Sequence, residues 1–402
     1  MWVDHATTDD PTVFGPKTTL SKTVARLKRP IGRQAERLLK TDNPILHSPA
    51  LLPSRWVDRI NASDADVVNL HWIGYDMLSI RAIGGITKPV VWTLHDMWAF
   101  CGAEHYTQDF RWRDGYLKTN RPDHERGFDL NRWTWQRKHR HWRKPFTFVT
   151  PSRWLGQCVK ESALLRDWLP EQKPNGKALK PDVCVIPNPV DTTTWSPIDR
   201  QQARQDLDLT KDRPLLLFGA TGGLADPRKG AHLLQQALHR IAHSNKNQPE
   251  LLIYGQSAPP GNDNDPFPIR THWLGKIEND AQLVKVYSAA DAMIVPSLQD
   301  NLPNTAVEAQ ACGTPVIAFD VGGLSDIVAH QETGYLAKPF ESHDLAVGIE
   351  WAIIMALSGK CKRQRQTTSD RVDQFFEARK VAAQYVSTYQ DVIGSAVNDI
   401  KP

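Results

Sequence analysis

Asp300 and Glu308 stand eight residues apart in SLQDNLPNTAVEAQACGTPVIAF, residues 297–319, with Asn304 and Thr305 between them. Asn304 reads as the cap of a helix beginning at Thr305, which sets Asp300 in the preceding loop and Glu308 in the first turns. Both carboxylates can then face one crevice, beside backbone N–H groups at the positive end of the helix dipole. A carboxylate so placed accepts two hydrogen bonds from adjacent hydroxyls, as on a ribose or hexose, and the helix start suits a phosphate. The plainer alternative is that Glu308 balances the dipole and Asp300 is a solvated turn residue.

Lys229, in FGATGGLADPRKG, follows a Gly-rich turn and precedes a helix, where a flexible ammonium can meet a diphosphate. Charge building on a departing diphosphate would strengthen that contact in the transition state. Arg228 is its neighbour, and the backbone N–H groups of Thr221, Gly222 and Gly223 are further phosphate partners. GATGG also suggests a dinucleotide fingerprint and an NAD(P)-dependent oxidoreductase, but it lacks the full GxGxxG spacing and a clear acid for the ribose. His95 ends the apolar run PVVWTLH, where a parallel sheet presents residues to a ligand. No GxSxG nucleophile elbow occurs. Three DxD strings, Asp64/Asp66, Asp206/Asp208 and Asp263/Asp265, have no third ligand at an evident spacing, so no metal site is expected.

These residues need a scaffold of alternating strands and helices. In the second half, PLLLFGA (214–220), ELLIYG (250–255), THWLG (271–275), DAMIVPS (291–297) and TPVIAFD (314–320) read as buried parallel strands. Helical patterns at 231–243, 281–290, from Thr305, and at 324–328 separate them. The first half repeats the plan less regularly, with DVVNLHW (66–72), PVVWTLHD (89–96), PFTFVTPS (145–152) and DVCVIPNPVD (182–191) as strands. MWV at the start reads as a short strand, and SKTVARLKRPIGRQAERLLK as a helix interrupted by Pro30. VDQFFEARKVAAQYVSTYQDVIGSAV, 372–397, reads as one long helix.

The expected fold is α/β, with two Rossmann-like domains facing across a cleft. The boundaries are 1–196 for an N-terminal domain, 197–375 for a second domain, and 376–402 for a C-terminal helix returning to the first. The 402 residues, 40% of them apolar, suffice for two cores. A formal charge of +4 is too small for a dedicated nucleic-acid binder. Five cysteines without a close pair point to a reduced, cytoplasmic chain. Twelve of the 14 tryptophans precede residue 200. LNRWTWQRKHRHWRKP, 130–145, joins Trp133, Trp135 and Trp142 to Arg132, Arg137, Lys138, Arg140, Arg143 and Lys144, a pattern suited to an anionic membrane surface or an anionic lipid-linked acceptor. The competing reading packs the indoles inward.

PSLQDNLPNTAVEAQACGTPVIAFDVGG closely resembles the signature of family 4 retaining glycosyltransferases, most nearly the branch of exopolysaccharide and colanic-acid biosynthesis. NLHWIG, VVWTLHDMWAF, VTPSRWLG, IPNPVDTTTW, DPRKG, WLG and YSAADAMIVPSLQDN agree with it, from about residue 67 to 328. The resemblance implies two Rossmann-like domains (the GT-B architecture) and transfer of a sugar from a UDP- or GDP-sugar, with no catalytic metal and no further cofactor. It implies that Glu308 binds the donor ribose and that Asp300, where the family usually has Glu, contacts the sugar. Backbone groups of Asn301, Leu302, Pro303 and Asn304 would hold the sugar and distal phosphate. Lys229 takes the phosphate role. An Arg usual after the first strand of the second domain is Ala220 here, which leaves Arg228 or the 221–223 backbone to compensate.

The same resemblance makes His95 the principal site residue of the first domain, with Asp96, Glu104 and His105 as acceptor-side candidates, and places the base near Gly275, Lys276 and Ile277. It implies front-face transfer, the acceptor hydroxyl attacking on the side the diphosphate leaves, to a polysaccharide or lipid-linked saccharide. Met1-Trp2-Val3 resembles the family's second strand, so a first strand and Gly-Gly loop are expected upstream. With Ala220 and Asp300, that motivates a second reading, a nucleotide-sugar-binding scaffold of impaired activity. A peripheral place at the inner face of the cytoplasmic membrane fits either reading.

Overall fold

The computed structural model describes residues 1–4, 6, 8–16, 18–168, 183–219, 224–244, 248–260, 265–358 and 361–398. Its contacts divide into two compact units, the first of residues 1–185 with 386–402 and the second of Ile186–Tyr385.

The first unit contains α1 (Thr19–Glu36), β1 (Leu39–Lys40), α2 (Trp56–Ala62), β2 (Val68–His71), α3 (Ile80–Gly84), β3 (Val90–Thr93), α4 (Arg111–Asp114), β4 (Arg126–Gly127), α5 (Leu130–His141), β5 (Thr147–Thr150), α6 (Arg153–Glu161) and β6 (Val183–Val185). Each of the four apolar runs forms a strand, and they pair in parallel in the order β2-β3-β5-β6. β1 and β4 make a small antiparallel pair. Trp92, Trp98, Trp142, Phe146 and Phe148 meet in one aromatic core, so most of the tryptophan excess is structural.

Three local readings change. MWV makes only a bridge, Trp2 to Phe14. α1 runs through Pro30 without a break. A proline forfeits one backbone bond and crowds the preceding turn, and here Arg26 and Pro30 are both exposed, which leaves the freed carbonyl to water. The boundary lies at Val185/Ile186 rather than 196/197, because the chain beyond β6 already pairs with the second unit: Val190 N–H donates to Phe376 O and Ala378 N–H to Val190 O.

The second unit runs α7 (Arg200–Asp206), β7 (Leu215–Gly219), α8 (Ala231–Ser244), β8 (Glu250–Tyr254), β9 (Thr271–Trp273), α9 (Asp280–Ala289), β10 (Ala292–Val295), α10 (Asn304–Ala311), β11 (Val316–Phe319), α11 (Leu324–Ile327), β12 (Gly334–Ala337), α12 (Ser342–Leu357), α13 (Cys361–Phe375) and α14 (Ala378–Asn398). Its strands are all parallel, in the order β12-β11-β10-β7-β8-β9. Residues alternate between two cores, which is why the runs are apolar throughout. Leu215 and Leu217 enter one face, and Leu216 and Phe218 the other. A Leu buried in this way is worth roughly 1.5–3 kcal/mol.

β12 was not anticipated: Gly334–Ala337 is short, and half its residues are only partly buried. The single long helix expected at 372–397 is two. It breaks at Phe376 and Glu377, where the backbone leaves the helix to bridge Val190 and the Phe376 ring is buried. Residues from 386 onward belong to the first unit, in which Asn69 Nδ2 donates to Tyr389 Oη at 2.6 Å.

Candidate functional site

In the second unit the strand order reverses at β7. β8 and β9 extend to one side, and β10, β11 and β12 to the other. At such a reversal the flanking loops diverge and leave a crevice outside the carboxyl ends of the strands. Lys229 follows β7 and Asp300 follows β10, so they flank this point.

Lys229 closes a short 3-10 turn, Pro227–Lys229, capped where Asp226 Oδ1 accepts from Arg228 N–H at 3.0 Å. Gly230 then takes φ +67°, and a Cβ there would lie 1.8 Å from Pro296 O. Glycine therefore lets the turn rest on the exit of β10, where Leu298 N–H donates to Arg228 O at 2.7 Å. Across that joint Lys229 Nζ donates to Asp300 Oδ2 at 2.8 Å, and Ser297 Oγ lies 3.5 Å from the same oxygen. Gly323 N–H donates to Asp300 O at 3.1 Å from behind. Arg228 does not join this pair: its guanidinium turns back onto Asp226, with Nη2 at 2.7 Å from Oδ2.

Glu308 Oε2 accepts from Tyr287 Oη at 2.9 Å, and the Tyr287 and Tyr254 hydroxyls are 2.8 Å apart. Tyr254 ends β8, next to β7, so this chain of hydroxyls lies on the same edge of the sheet. Burial raises the Glu308 pKa above the ordinary carboxylate value. The Tyr287 hydroxyl opposes the rise and the charge of Asp280 adds to it.

The capping expectation needs correction. α10 begins at Asn304 itself with Pro303 as cap, and Asn304 Oδ1 accepts instead from Asn188 Nδ2 at 2.9 Å. Asn301 and Leu302 are buried, with Leu302 in the core, so that residue offers only its backbone. Gly275 has φ +68° and its carbonyl accepts from Gly255 N–H at 2.8 Å. Lys276 is exposed and paired with Glu278, and Ile277 packs on the core. Thr221, Gly222 and Gly223, with Ala220, lie outside the described residues.

In the first unit, β2 and β3 end side by side, which brings His71 Nδ1 to 3.1 Å from His95 Nε2. Burial lowers the His95 pKa, with Asp96 opposing. The same loss of solvent, with His95 adjacent, lowers His71 to about 4, although His71 keeps an exposed edge. Asp96 is held by three donors or partners: His105 Nδ1 at 2.6 Å, Trp72 Nε1 at 3.1 Å and Trp98 N–H at 2.9 Å. Burial alone would raise its pKa, but His105 and these hydrogen bonds bring it below the usual range. His105 Nε2 in turn meets Ser48 Oγ at 2.8 Å. A pocket lined by Trp72, Gly74, Thr93, His95, Asp96 and His105, among others, opens beside this network.

Glu104 is elsewhere. It is 1% exposed, accepts from Tyr116 Oη, and has its pKa raised by burial, so it faces the interior rather than a ligand. Residues 130–145 also differ from the membrane-facing expectation. Lys138 is fully buried, donating to the carbonyls of Trp98, Cys101 and Gly102 over the Trp98 ring, and burial lowers its pKa to about 7. Arg137 donates to Pro49 O and Ala50 O. Trp142 Nε1 donates to Ile80 O, while Trp135 packs on Tyr116 and Trp133 under Arg137. The indoles bind the helix to its own unit. Among the described residues no three His, Cys, Asp or Glu side chains cluster as a metal site would require, and no helix is long and apolar enough to cross a membrane.

Residues 199–371 match the family model described as Glycosyl transferases group 1. Over these residues, fewer than half of the chain, the sequence is similar to glycosyltransferase group 1 domains. They include Lys229, Asp300 and Glu308. Curated relatives include the D-inositol 3-phosphate glycosyltransferase of Segniliparus rotundus, 36% identical over 160 residues, and that of Nocardia farcinica, 34% identical over 172. The first match covers 38% of this chain and 35% of the relative, the second 40% and 38%, so the chain spans well under half the length of either. Among solved structures, sucrose-phosphate synthase from Thermosynechococcus elongatus aligns over 94% of both chains with a TM-score of 0.60 at 20% identity. Anabaena HepE in complex with UDP-glucose aligns over 94% of this chain and 91% of that one, with a TM-score of 0.57 at 17% identity. These likenesses establish the GT-B type of α/β fold with two Rossmann-like domains.

Beyond the residues expected, the second unit supplies Tyr254 and Tyr287 behind Glu308, which no spacing announces. In the first unit His71 and Trp72 were equally unremarked. They end a strand just as His95 does, and that placement is the signal that would have found them.

Proposed function

We propose that the chain is a retaining glycosyltransferase that moves a hexose-type sugar from a UDP- or GDP-sugar to a saccharide or lipid-linked saccharide acceptor in polysaccharide assembly. The observation that carries this reading is the Lys229–Asp300 pair at the strand-order reversal, in a domain that matches a glycosyltransferase model. On this reading the donor diphosphate takes Lys229 from Asp300, and Asp300 turns to the sugar hydroxyls. Glu308 receives the ribose hydroxyls. Lys229 and the N-terminus of α10 stabilise the departing diphosphate, so the electrostatic work needs no metal. Transfer proceeds on the face the diphosphate leaves, and a phosphate oxygen takes the proton of the acceptor hydroxyl. The acceptor binds in the first unit, where His95 is the principal site residue.

The decisive experiment is a thermal-shift panel of nucleotides and nucleotide sugars on the purified chain. Labelled transfer to saccharide and lipid-linked acceptors follows, with D-inositol 3-phosphate included because the curated relatives are named for it. Stabilisation by a UDP- or GDP-sugar, followed by transfer with retained anomeric configuration, is expected. Stabilisation by no nucleotide sugar would defeat the reading, and stabilisation without transfer or hydrolysis would favour the scaffold alternative.

A further inference from the structure

We infer that the exposed indole of Trp72 is a stacking platform for a pyranose ring of the acceptor, a saccharide subsite contained in the first unit. This deepens the transferase reading above and rests on it for the identity of the acceptor.

Trp92, Trp98, Trp112 and Trp142 of this unit are between 2% and 7% exposed, whereas Trp72 is 41% exposed. The exposure does not come from a loose side chain. Trp72 Nε1 donates to Asp96 Oδ2 at 3.1 Å, and Asp96 is itself fixed by His105 and the Trp98 N–H. The six-membered part of the indole lies over Gly74, where a Cβ would come within 3.0 Å of Cζ2. Tyr75 meets the ring edge-on, with centroids 4.9 Å apart. The turn beneath is clamped in turn: Tyr75 and Asp76 both take left-handed backbone, φ +55° and +59°, and Asp76 Oδ1 accepts from Leu51 and Leu52 N–H at 2.6 and 3.0 Å.

A flat apolar surface held rigid beside a pocket that also presents His95 and Asp96 suits a ligand that is apolar on its face and polar at its rim. A pyranose ring has this character, since its axial C–H groups form a face and its equatorial hydroxyls radiate from the edge. The ring can lie on the indole while its hydroxyls turn toward the His95 side of the same pocket. Because the indole is already immobilised, little ordering cost remains when the sugar arrives.

The test is saturation-transfer NMR on the full chain with methyl β-D-glucopyranoside, methyl β-D-galactopyranoside and methyl α-D-mannopyranoside. Wild type is compared with Trp72→Leu, which removes the aromatic face, and Trp72→Phe, which keeps a face but removes the Nε1 donor. At least one glycoside should receive saturation on one ring face, H1, H3 and H5 or H2 and H4 for the glucoside. Trp72→Phe should retain that pattern, and Trp72→Leu should lose about tenfold in affinity. No transfer to any of the three from wild type, or equal transfer in Trp72→Leu, overturns the subsite. Thermal shifts with UDP- and GDP-sugars on the same samples separate the two readings. Donor stabilisation without Trp72-dependent saccharide binding defeats the platform alone, and the reverse result defeats the donor reading while the platform stands.

Discussion

Lys229 Nζ lies 2.8 Å from Asp300 Oδ2, so the cation expected to meet a diphosphate is already held by a carboxylate from the next loop of the sheet. A phosphate that reaches Nζ meets that carboxylate as a competing anion. Lys229→Ala should therefore weaken nucleotide-sugar binding by about ten- to a hundredfold, the scale of a lost hydrogen bond to a charged group of ~1.5–3 kcal/mol, and lower turnover as well. Asp300→Asn removes the competing charge. It should tighten nucleoside diphosphate binding while depressing turnover, and titration calorimetry beside initial rates reads both. Unchanged affinity in both variants would remove the pair from the donor site.

Glu308 should make nucleotide affinity depend on pH. Its pKa is raised, mainly by burial, so protonation begins at higher pH than for a solvated glutamate. The protonated acid loses acceptor capacity for the ribose hydroxyls, and affinity should fall as pH drops through that raised value. Glu308→Gln should weaken binding and abolish this acidic limb. A limb that persists in Glu308→Gln assigns the titration to another group.

The paired imidazoles of the first unit share one hydrogen bond, in which one ring must donate and the other accept. A doubly protonated pair is thereby disfavoured, and both rings should be neutral at pH 7. Nitrogen NMR should find His71 titrating near pH 4, and His95→Gln should move that midpoint upward, because the neighbouring ring contributes to the depression. Both groups have folded pKa values below the unfolded one, so their contribution to stability is present above about pH 6.5 and declines as pH falls below it. His95→Ala should depress turnover more than nucleotide affinity. Equal turnover would take His95 out of the chemistry.

Gly322 adopts φ +57°, and a Cβ there would lie 1.9 Å from Asp300 O. Gly322→Ala must shift the Asp300 loop or strain its own backbone. The expected result is a loss of donor affinity larger than the loss in melting temperature would suggest, read by calorimetry and thermal unfolding of one sample. Wild-type affinity would show that the loop tolerates the displacement.

Much of the second unit's fold was legible because its signals are local. A strand buried on both faces must be apolar along its length, and β7, β8, β10 and β11 all declare themselves in this way. β12 did not, since an edge strand with partly buried residues loses that pattern. The break between α13 and α14 was hidden too, because Phe376 is apolar at a helical position and only its pairing with Val190 pulls it out. The cap at Asn304 failed for a similar reason: a side-chain amide can serve either its own helix or a neighbour, and Asn188 decided which. The basic, Trp-rich segment at 130–145 left two readings open because composition does not tell inward from outward.

Residue order alone determined the alternation of strands and helices, the placing of Lys229, His95 and Asp300 after strand ends, and the kinship with glycosyltransferases. Backbone periodicity and short-range turn chemistry suffice for those. Tertiary structure decided which groups meet: Lys229 with Asp300 across 71 positions, Glu308 with Tyr287, His71 with His95, and Trp72 anchored on Asp96. Those partnerships depend on which strands lie side by side, and strand order follows from the packing of the whole sheet rather than from any local stretch of chain.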